Sequence, residues 1–542
     1  MTRIRSVSTR SSFPSSVLLC SLFLFSSTLH SPFNPLLPSV SAQSVTAQGS
    51  GEGAGLTGPT SSTEAAGYSC DPNQCKLPSC QCASTSPPGG LSPQDVPQFV
   101  TFTADDAIQS YTIEVLDYFL ARRKNPNGCS PKMTYFNSLT YSNYSMVTEW
   151  YVAGNEIADH TMTHVGSPNA SEIYGNLRAL NAFAGIPMKD ISGFRAPMLN
   201  WTTETLKLLH DANFVYDSSA TSSIPANASG TDAYWPYTLD NGLANDCLVV
   251  TDGCKGQLKL PGLWEIPMYA IFENNDPSKI HLMDPWLEGS NEAVLQWMKD
   301  SFLSHYNGNR APFGLYSHPI HLAVGYPGIT DPIATRQMIQ NFLDWVQTFP
   351  NVWIVSNQQM MEWLRNPVKN SEISSVEALG CKTPDVPKDA KLCNGIPQNE
   401  MGLLNRCPFE DFPWQTCYYC PAVEPTPDNP VPPPASGDTR HTLPSNCSTP
   451  FFNPQTNECL CKNGDASCAF TDTTRPIGNY SSNLGGQDGG NGSGSSGGGG
   501  TATRATSAER TAPVKQNGSN KVGGVSMIMA SLVGFGLILI GA

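Results

Sequence analysis

Five short stretches of this 542-residue chain carry residue types suited to acid–base or metal chemistry. Asp105 and Asp106 are adjacent, His160 and His164 stand four apart, Arg195 precedes Ala196-Pro197, Asp217 precedes two serines, and His318 precedes a proline. Two His at i and i+4 lie on one face of a helical turn, so both imidazoles can reach one metal ion. A zincin would carry its general-base Glu directly after the first His. Thr161 stands there, so that metalloprotease chemistry fails. A third ligand and a separate base must come from elsewhere, and the aspartate pair offers both. Neighbouring side chains on a strand point to opposite sides, but at a strand end the turn can aim two adjacent carboxylates into one cavity. One would ligate the ion and the other take a proton from water. A His₂Asp set with open positions suits a catalytic metal, because structural zinc sites close all four positions with Cys and His. Taken alone, Asp105-Asp106 also reads as a helix cap ahead of Ala107, and His-x-x-x-His as a coincidence of spacing.

Their placement on the elements argues against coincidence. Apolar or β-branched runs occur at Phe99 to Ala104, Met133 to Phe136, Glu156 to Ala158, Ile191 to Phe194, Phe214 to Tyr216, Leu263 to Phe272, Pro312 to Tyr316 and Val352 to Val355. Helical patterns separate most of them, at Tyr111 to Arg123, Ser171 to Ala184, Thr203 to Ala212, Glu292 to Tyr306 and Ile333 to Phe349. Such alternation predicts parallel strands with crossover helices, either a distorted β/α barrel of seven or eight units or a doubly wound open sheet. In a barrel, catalytic residues belong at the C-terminal ends of strands, and the polar stretches named above fall there. His321 rivals His318, which directly follows its strand. His210, His281 and His305 fall in helical or loop patterns and read as ordinary histidines. Trp235, Tyr237 and Trp286 could stack on sugars but read as packing.

In this order the motifs resemble those of the NodB-like polysaccharide deacetylases, carbohydrate esterase family four, and chitin deacetylases in particular. Thr103-Ala104-Asp105-Asp106-Ala107 aligns with the family's Thr-Phe-Asp-Asp-Gly, and His160 to His164 fills His-(Ser/Thr)-x-x-His. Arg195-Ala196-Pro197 fits Arg-x-Pro-Tyr with Met198 in place of the aromatic. Asp217 and Ser219 fit Asp-x-Ser-Trp with Ala220 for Trp, and His318 fits Leu-x-His with Tyr316 for Leu. The stretch from Cys70 to Ala107 also resembles the Cys-rich entry to this domain in insect chitin deacetylases. The resemblance covers residues 69–368 and implies a distorted (β/α)7–8 barrel with Cys-rich flanking segments. It further implies Asp106, His160 and His164 as ligands of Zn²⁺ or another divalent metal such as Co²⁺. Asp105 would be the base held by Arg195, and His318 the acid oriented by Asp217. A backbone N–H near Met198 would meet the oxyanion. The implied reaction removes N-acetyl groups from N-acetylglucosamine residues of chitin, giving chitosan and acetate. Another acetylated polysaccharide, or a chitin-binding wall protein without activity, are the alternatives. The intact Asp105, Asp106, His160, His164 and His318 weigh against the binder.

The rest of the chain concerns compartment. Residues 1–42 carry three arginines ahead of a short apolar run, Val17 to Phe25, and read as a secretory signal. Residues 43–68 read as a flexible leader. After the catalytic block come a Cys-rich extension (369–420), a stiff, extended Pro-rich linker (421–440), a small Cys-rich module (441–470), a Gly/Ser-rich stalk (471–524) and an apolar tail (525–542). The tail, its polar spacer and Asn517-Gly518-Ser519 follow the pattern of a glycosylphosphatidylinositol attachment signal, the alternative being a tail-anchored helix. Of 17 cysteines, Cys20 is lost with the signal and sixteen remain for disulfides, as a secreted chain favours. Eight Asn-X-Ser/Thr sequons indicate a glycosylated surface. A formal charge of −14 argues against a nucleic-acid partner.

Overall fold

The strand β1, Gln98–Asp106, is the centre of the molecule: eight of its nine residues are buried, on both faces, as a strand inside a parallel sheet requires. The computed structural model describes residues 67–441 apart from 122, 246–257, 327–328, 382–392 and 394–402, together with 443, 447, 452–453 and 458–459. The segments expected as secretory signal, leader (nearly all), small Cys-rich module (most), stalk and apolar tail lie outside the described residues, as do Cys247 and Cys254.

In parallel register β1 pairs with β2 (Thr134–Asn137), β12 (Phe313–Ser317) and β13 (Val352–Val355). The sheet continues through β3 (Glu156–Asp159), β4 (Gly193–Phe194), β5 (Tyr216–Asp217) and β8 (Trp264–Glu265), all parallel, and ends on β7 (Tyr237–Thr238), which is antiparallel to β8. Two small pairs, β6 (Thr221–Ser222) with β9 (Met268–Tyr269) and β10 (Ile271–Phe272) with β11 (Ile280–His281), form separate two-stranded sheets. The result is the distorted barrel expected. The distortion lies on the side where strands shrink to two residues. The apolar run Leu263 to Phe272 breaks there into β8, β9 and β10, with Pro267 between the first two. Proline cannot donate to a ladder, so one long strand is impossible.

The helices fall close to the predicted spans: α1 Ser110–Leu120, α3 Ala170–Ala184, α4 Thr203–Asp211, α5 Asn291–Asn307 and α6 Pro332–Val346. Two more, α2 Tyr144–Val152 and α7 Asn357–Arg365, fill the remaining crossovers. Side chains such as Val115 and Phe119 on α1, Phe302 on α5 and Phe342 on α6 close over Val100 and Phe102 of β1. Phe99, Phe136, Tyr216 and Trp353 fill the opposite face of the sheet with Trp363. Trp235, Tyr237 and Trp286 are buried and serve packing.

Disulfides Cys70–Cys82 and Cys75–Cys80 choose one of the three pairings open to the entry cluster. Cys129–Cys381 ties the region after α1 to the start of the extension across 252 residues, and Cys393–Cys417, Cys407–Cys420 and Cys447–Cys459 follow. Such density fits maturation in an oxidising, extracellular compartment. The extension docks on the barrel. Its hairpin, β14 (Asn405–Cys407) with β15 (Trp414–Thr416), sets the Trp414 ring against Tyr144 and Phe183, at 4.8 and 5.3 Å. The expectation of a stiff, extended linker at 421–440 is corrected. Ala422 N–H donates to Pro433 O and Ala435 N–H to Cys420 O, so the segment doubles back on itself. Arg440 then binds the Tyr418 and Tyr419 carbonyls and lies over Phe183, 4.8 Å from the ring centre. Its prolines are spaced so that non-proline residues still supply the cross-links.

Candidate active site

The C-terminal ends of β1, β3, β4 and β12 deliver the polar residues to one mouth. Asp106 ends β1 with φ of +84°, a left-handed turn that no regular strand contains. This turn lets adjacent carboxylates share a cavity: Asp105 Oδ2 and Asp106 Oδ1 lie 4.0 and 3.7 Å from His160 Nε2. Neither aspartate caps α1, whose N-cap is Gln109. His160 and His164 also meet, their ring centres 5.2 Å apart. The helical turn expected to carry them is absent. Residues 160–165 form an irregular loop, with φ of +64° at Thr161 and +57° at His164. Thr161 N–H donates to Asp159 Oδ1, Val165 N–H to Thr161 Oγ1 and Thr163 N–H to Glu172 of α3, which fixes the loop.

Asp106, His160 and His164 place one ligand atom each within 4.8 Å of the others. Asp106 Oδ1 is buried, accepts no hydrogen bond, and lies 3.0 Å from His164 Nε2. An orphaned carboxylate oxygen facing two imidazole nitrogens is a donor set that fits a divalent cation. His160 Nδ1 lies 2.7 Å from the Arg195 carbonyl. A carbonyl only accepts, so Nδ1 carries the proton and Nε2 keeps its lone pair free, as a histidine that binds metal through Nε2 requires. Burial pushes the His160 imidazole down to about 4 against the pull of both aspartates, so it is neutral near pH 7. Burial alone would raise the Asp106 carboxyl. Contact with His164 and the fields of His318 and His160 outweigh it and hold the group well below the usual carboxylate range.

Arg195 is wholly buried and donates through Nη1 to Asp105 Oδ1 at 2.8 Å and to Thr103 Oγ1 at 2.9 Å. Its Nε donates to Ser218 O, and its guanidinium lies 4.0 Å from the Phe136 ring centre and 5.0 Å from that of Tyr316. Asp105 is thereby fixed in position beside the three candidate ligands.

His318 follows β12 at the same mouth, and its partner differs from expectation. Its Nδ1 lies 2.5 Å from Asp284 Oδ2, while its backbone N–H donates to Asp284 Oδ1 at 2.9 Å. Burial would lower this imidazole, but the Asp284 carboxylate, helped by Asp106 and Asp105, raises it to about 9. Asp217 does not orient His318. It is buried against Glu265 of the neighbouring strand, and its oxygens accept from Ser219 Oγ and Ser219 N–H. Ser219 Oγ in turn accepts from Ala196 N–H. Asp217 therefore holds the backbone leading into Pro197 and Met198, a segment with φ of +56° at Met198. Burial raises both carboxyls, Asp217 to about 6 and Glu265 well above its ordinary value, the latter also through the charge of neighbouring Asp217. Sequence reasoning missed Asp284 and Glu265. Glu265 sits at the end of a strand and could have been found by the criterion used for the others. Asp284 lies in a loop and offered no such signal. His321 is half-buried beside His318, whereas His281 pairs with Glu288 and His305 with a backbone carbonyl, as structural histidines do.

No protein-family model matches the chain. Curated proteins do. Chitin deacetylase 8 of Bombyx mori is 31% identical over 370 residues, 64% of this chain and 91% of that one. Chitin deacetylase 1 of Bombyx mori is 30% identical over 391 residues, 67% and 68% of the two chains. Among solved structures, the chitin deacetylase of Colletotrichum lindemuthianum covers 46% of this chain and 84% of its own, with 14% identity and a TM-score of 0.25, an overlap too loose to build on. The chain belongs to the chitin deacetylase family of NodB-like, family-four polysaccharide deacetylases. It is a deacetylase, a hydrolase whose candidate metal ligands are the Asp and His groups described above.

Proposed function

We propose that the protein hydrolyses the N-acetyl groups of N-acetylglucosamine residues in chitin, releasing acetate and leaving chitosan, with Zn²⁺ or a similar divalent ion held by Asp106, His160 and His164. One observation carries this reading. Three metal-ligand atoms are flanked by a carboxylate fixed by arginine and an imidazole fixed by carboxylate, a base and an acid ready for one amide. In that donor set Asp106, His160 and His164 would hold a divalent cation, which would supply Lewis-acid polarisation of the acetamide carbonyl and make a nearby water more acidic. Asp105 takes the proton of that water, and Arg195 keeps the carboxylate in place for the transfer. His318, protonated and anchored by Asp284, gives its proton to the departing amine nitrogen. The backbone at Met198, held through Asp217 and Ser219, offers an N–H to the developing oxyanion.

The surroundings follow from the chain's other segments. The apolar tail, 525–542, directs attachment of a lipid anchor, and the product works at the plasma membrane or the cell wall, where chitin is accessible. The test of catalysis is acetate release from chitin oligomers by the purified protein, lost on chelation and restored by added Zn²⁺. Absence of metal-dependent acetate from any N-acetylglucosamine polymer would refute it. Release of the expressed protein from membranes by a phosphatidylinositol-specific phospholipase tests the anchor; retention by detergent-resistant hydrophobic insertion alone would refute that part.

A further inference from the structure

We infer that Asp284, His318 and His321 form a second divalent-cation site, at which excess metal occupies the catalytic acid and inhibits the enzyme. The inference rests on the reading of His318 as the acid. Three observations point to it. The three side chains place one ligand atom each within 4.8 Å of the others, as the Asp106, His160 and His164 set also does. Their donor types, one carboxylate and two imidazoles, are those that bind Zn²⁺ at catalytic sites. No hydrogen bond to the His321 ring occurs among the described residues, so its nitrogens are not committed elsewhere, while its ring stands edge-on to His318 with centres 5.7 Å apart.

The frame around the three is rigid enough to hold a cation. Asp284 has φ of +47°, its N–H donates to Tyr316 O at 3.1 Å, and Met283 bridges to Tyr316 in parallel register. Its Oδ1 is taken by the His318 backbone N–H, so Oδ2 alone faces the ring. His321 lies in the 3-10 turn Pro319–Leu322, where its N–H donates to His318 O at 3.0 Å, and Tyr326 packs edge-on at 5.7 Å. A tetrahedral ion with bonds of about 2.0 to 2.1 Å separates neighbouring ligand atoms by about 3.3 Å. The 2.5 Å between Asp284 Oδ2 and His318 Nδ1 must therefore widen by less than an ångström. The balance of the step is simple. The cation takes the Nδ1 lone pair, the proton held there leaves to solvent, and no bond in the protein breaks. His318 bound in this way no longer sits as a carboxylate-anchored acid, so turnover stops while the first site stays filled.

The experiment is isothermal titration of the metal-free full chain with Zn²⁺ alone, followed by assays of acetate release with one equivalent and with excess Zn²⁺. Two equivalents bind to the wild type, the weaker one in parallel with inhibition. His321→Gln removes a ligand without touching the proposed machinery. It should bind one equivalent, keep its activity at one equivalent, and need at least about tenfold more Zn²⁺ for inhibition, since even outer-shell partners change metal affinity by this much. Asp106→Asn should retain the weaker equivalent, which keeps the site measurable should His321→Gln fail to fold. A single equivalent in the wild type, or the same two equivalents and the same inhibition in His321→Gln, overturns the inference. Stoichiometry is read without substrate, so a protein that binds two ions but releases no acetate refutes the catalytic reading and leaves this site standing.

Discussion

Replacing Asp284 by Asn tests the acid directly, because the geometry and the electrostatics converge on one contact. The Asp284 carboxylate, 2.5 Å from His318 Nδ1, is the main cause that lifts the imidazole from 6.5 to about 9 against burial. The difference, 9 − 6.5 = 2.5, amounts to roughly 3 kcal/mol in favour of the imidazolium. Asn keeps the shape but removes the charge, and burial then acts without its counterweight. The His318 imidazole should fall to about 6.5 or lower. An acid at about 9 is roughly nine-tenths protonated at pH 8, and one at 6.5 about 3%, so kcat/KM at pH 8 should drop about 30-fold. At pH 6 the variant should recover most of the difference. The assay is acetate release from chitin oligomers across pH 5.5–10, fitted for the basic limb. The same contact is a stability term. A group with a raised folded pKa stabilises fully below its unfolded value and loses that stability as pH rises through the folded one. The wild type should therefore lose up to roughly 3 kcal/mol between pH 6.5 and about 9, and the variant little of it. Denaturant titrations at both pH values measure this. A basic limb that stays near 9 in the variant, with activity lowered equally at every pH, would refute the assignment of Asp284 as the partner of the acid.

Asp105→Asn should reduce turnover by about 10²- to 10⁴-fold, the usual contribution of a positioned base, while calorimetry finds the tighter Zn²⁺ equivalent unchanged. Loss of metal affinity in step with activity would make Asp105 a ligand. Asp217→Asn separates the two aspartates assigned to His318. It should lower activity through the Ser219–Ala196 link and cost about 1 to 3 kcal/mol of stability by leaving Ser219 N–H short of an acceptor, with the basic limb unmoved. A limb displaced as in Asp284→Asn would restore the role that the sequence motif suggested. Replacing Cys129 and Cys381 together by Ser opens a loop of 252 residues and should cost roughly 2 to 5 kcal/mol, seen as a lower denaturant midpoint. An unchanged midpoint would mean that docking of the extension, not the bridge, holds this end of the domain.

The barrel and most of its site were legible in the sequence for one physical reason. In a parallel sheet every strand ends at the same face, so polar residues that close apolar runs converge without any knowledge of how the chain winds. Asp105, Asp106, His160, Arg195 and His318 obey this rule, and so does His164 one loop turn later. Local geometry was less accessible. The i, i+4 spacing of the histidines suggested a helix, but their approach is set by left-handed residues and by bonds to Glu172 on another element. The Pro-rich segment read as extended because composition records the missing donors and not the few residues that remain able to cross-link.

The exchange of Asp217 for Asp284 follows from the same rule and shows where it stops. A strand-end aspartate is carried to the mouth by the sheet, yet the neighbouring strand also ends in an acid, and Glu265 claims it. The Asp217 oxygens are taken by Ser219 beside Glu265, whereas the carboxylate at His318 Nδ1 is that of Asp284. The carboxylate that anchors His318 must therefore be supplied by another element. Asp284 meets that requirement from a loop, and its left-handed backbone and bridge to Tyr316 hold it as firmly as a strand would. The proposed acid of this site is thus built by a contact between elements remote in sequence, 34 residues apart. Spacing alone carries no record of it.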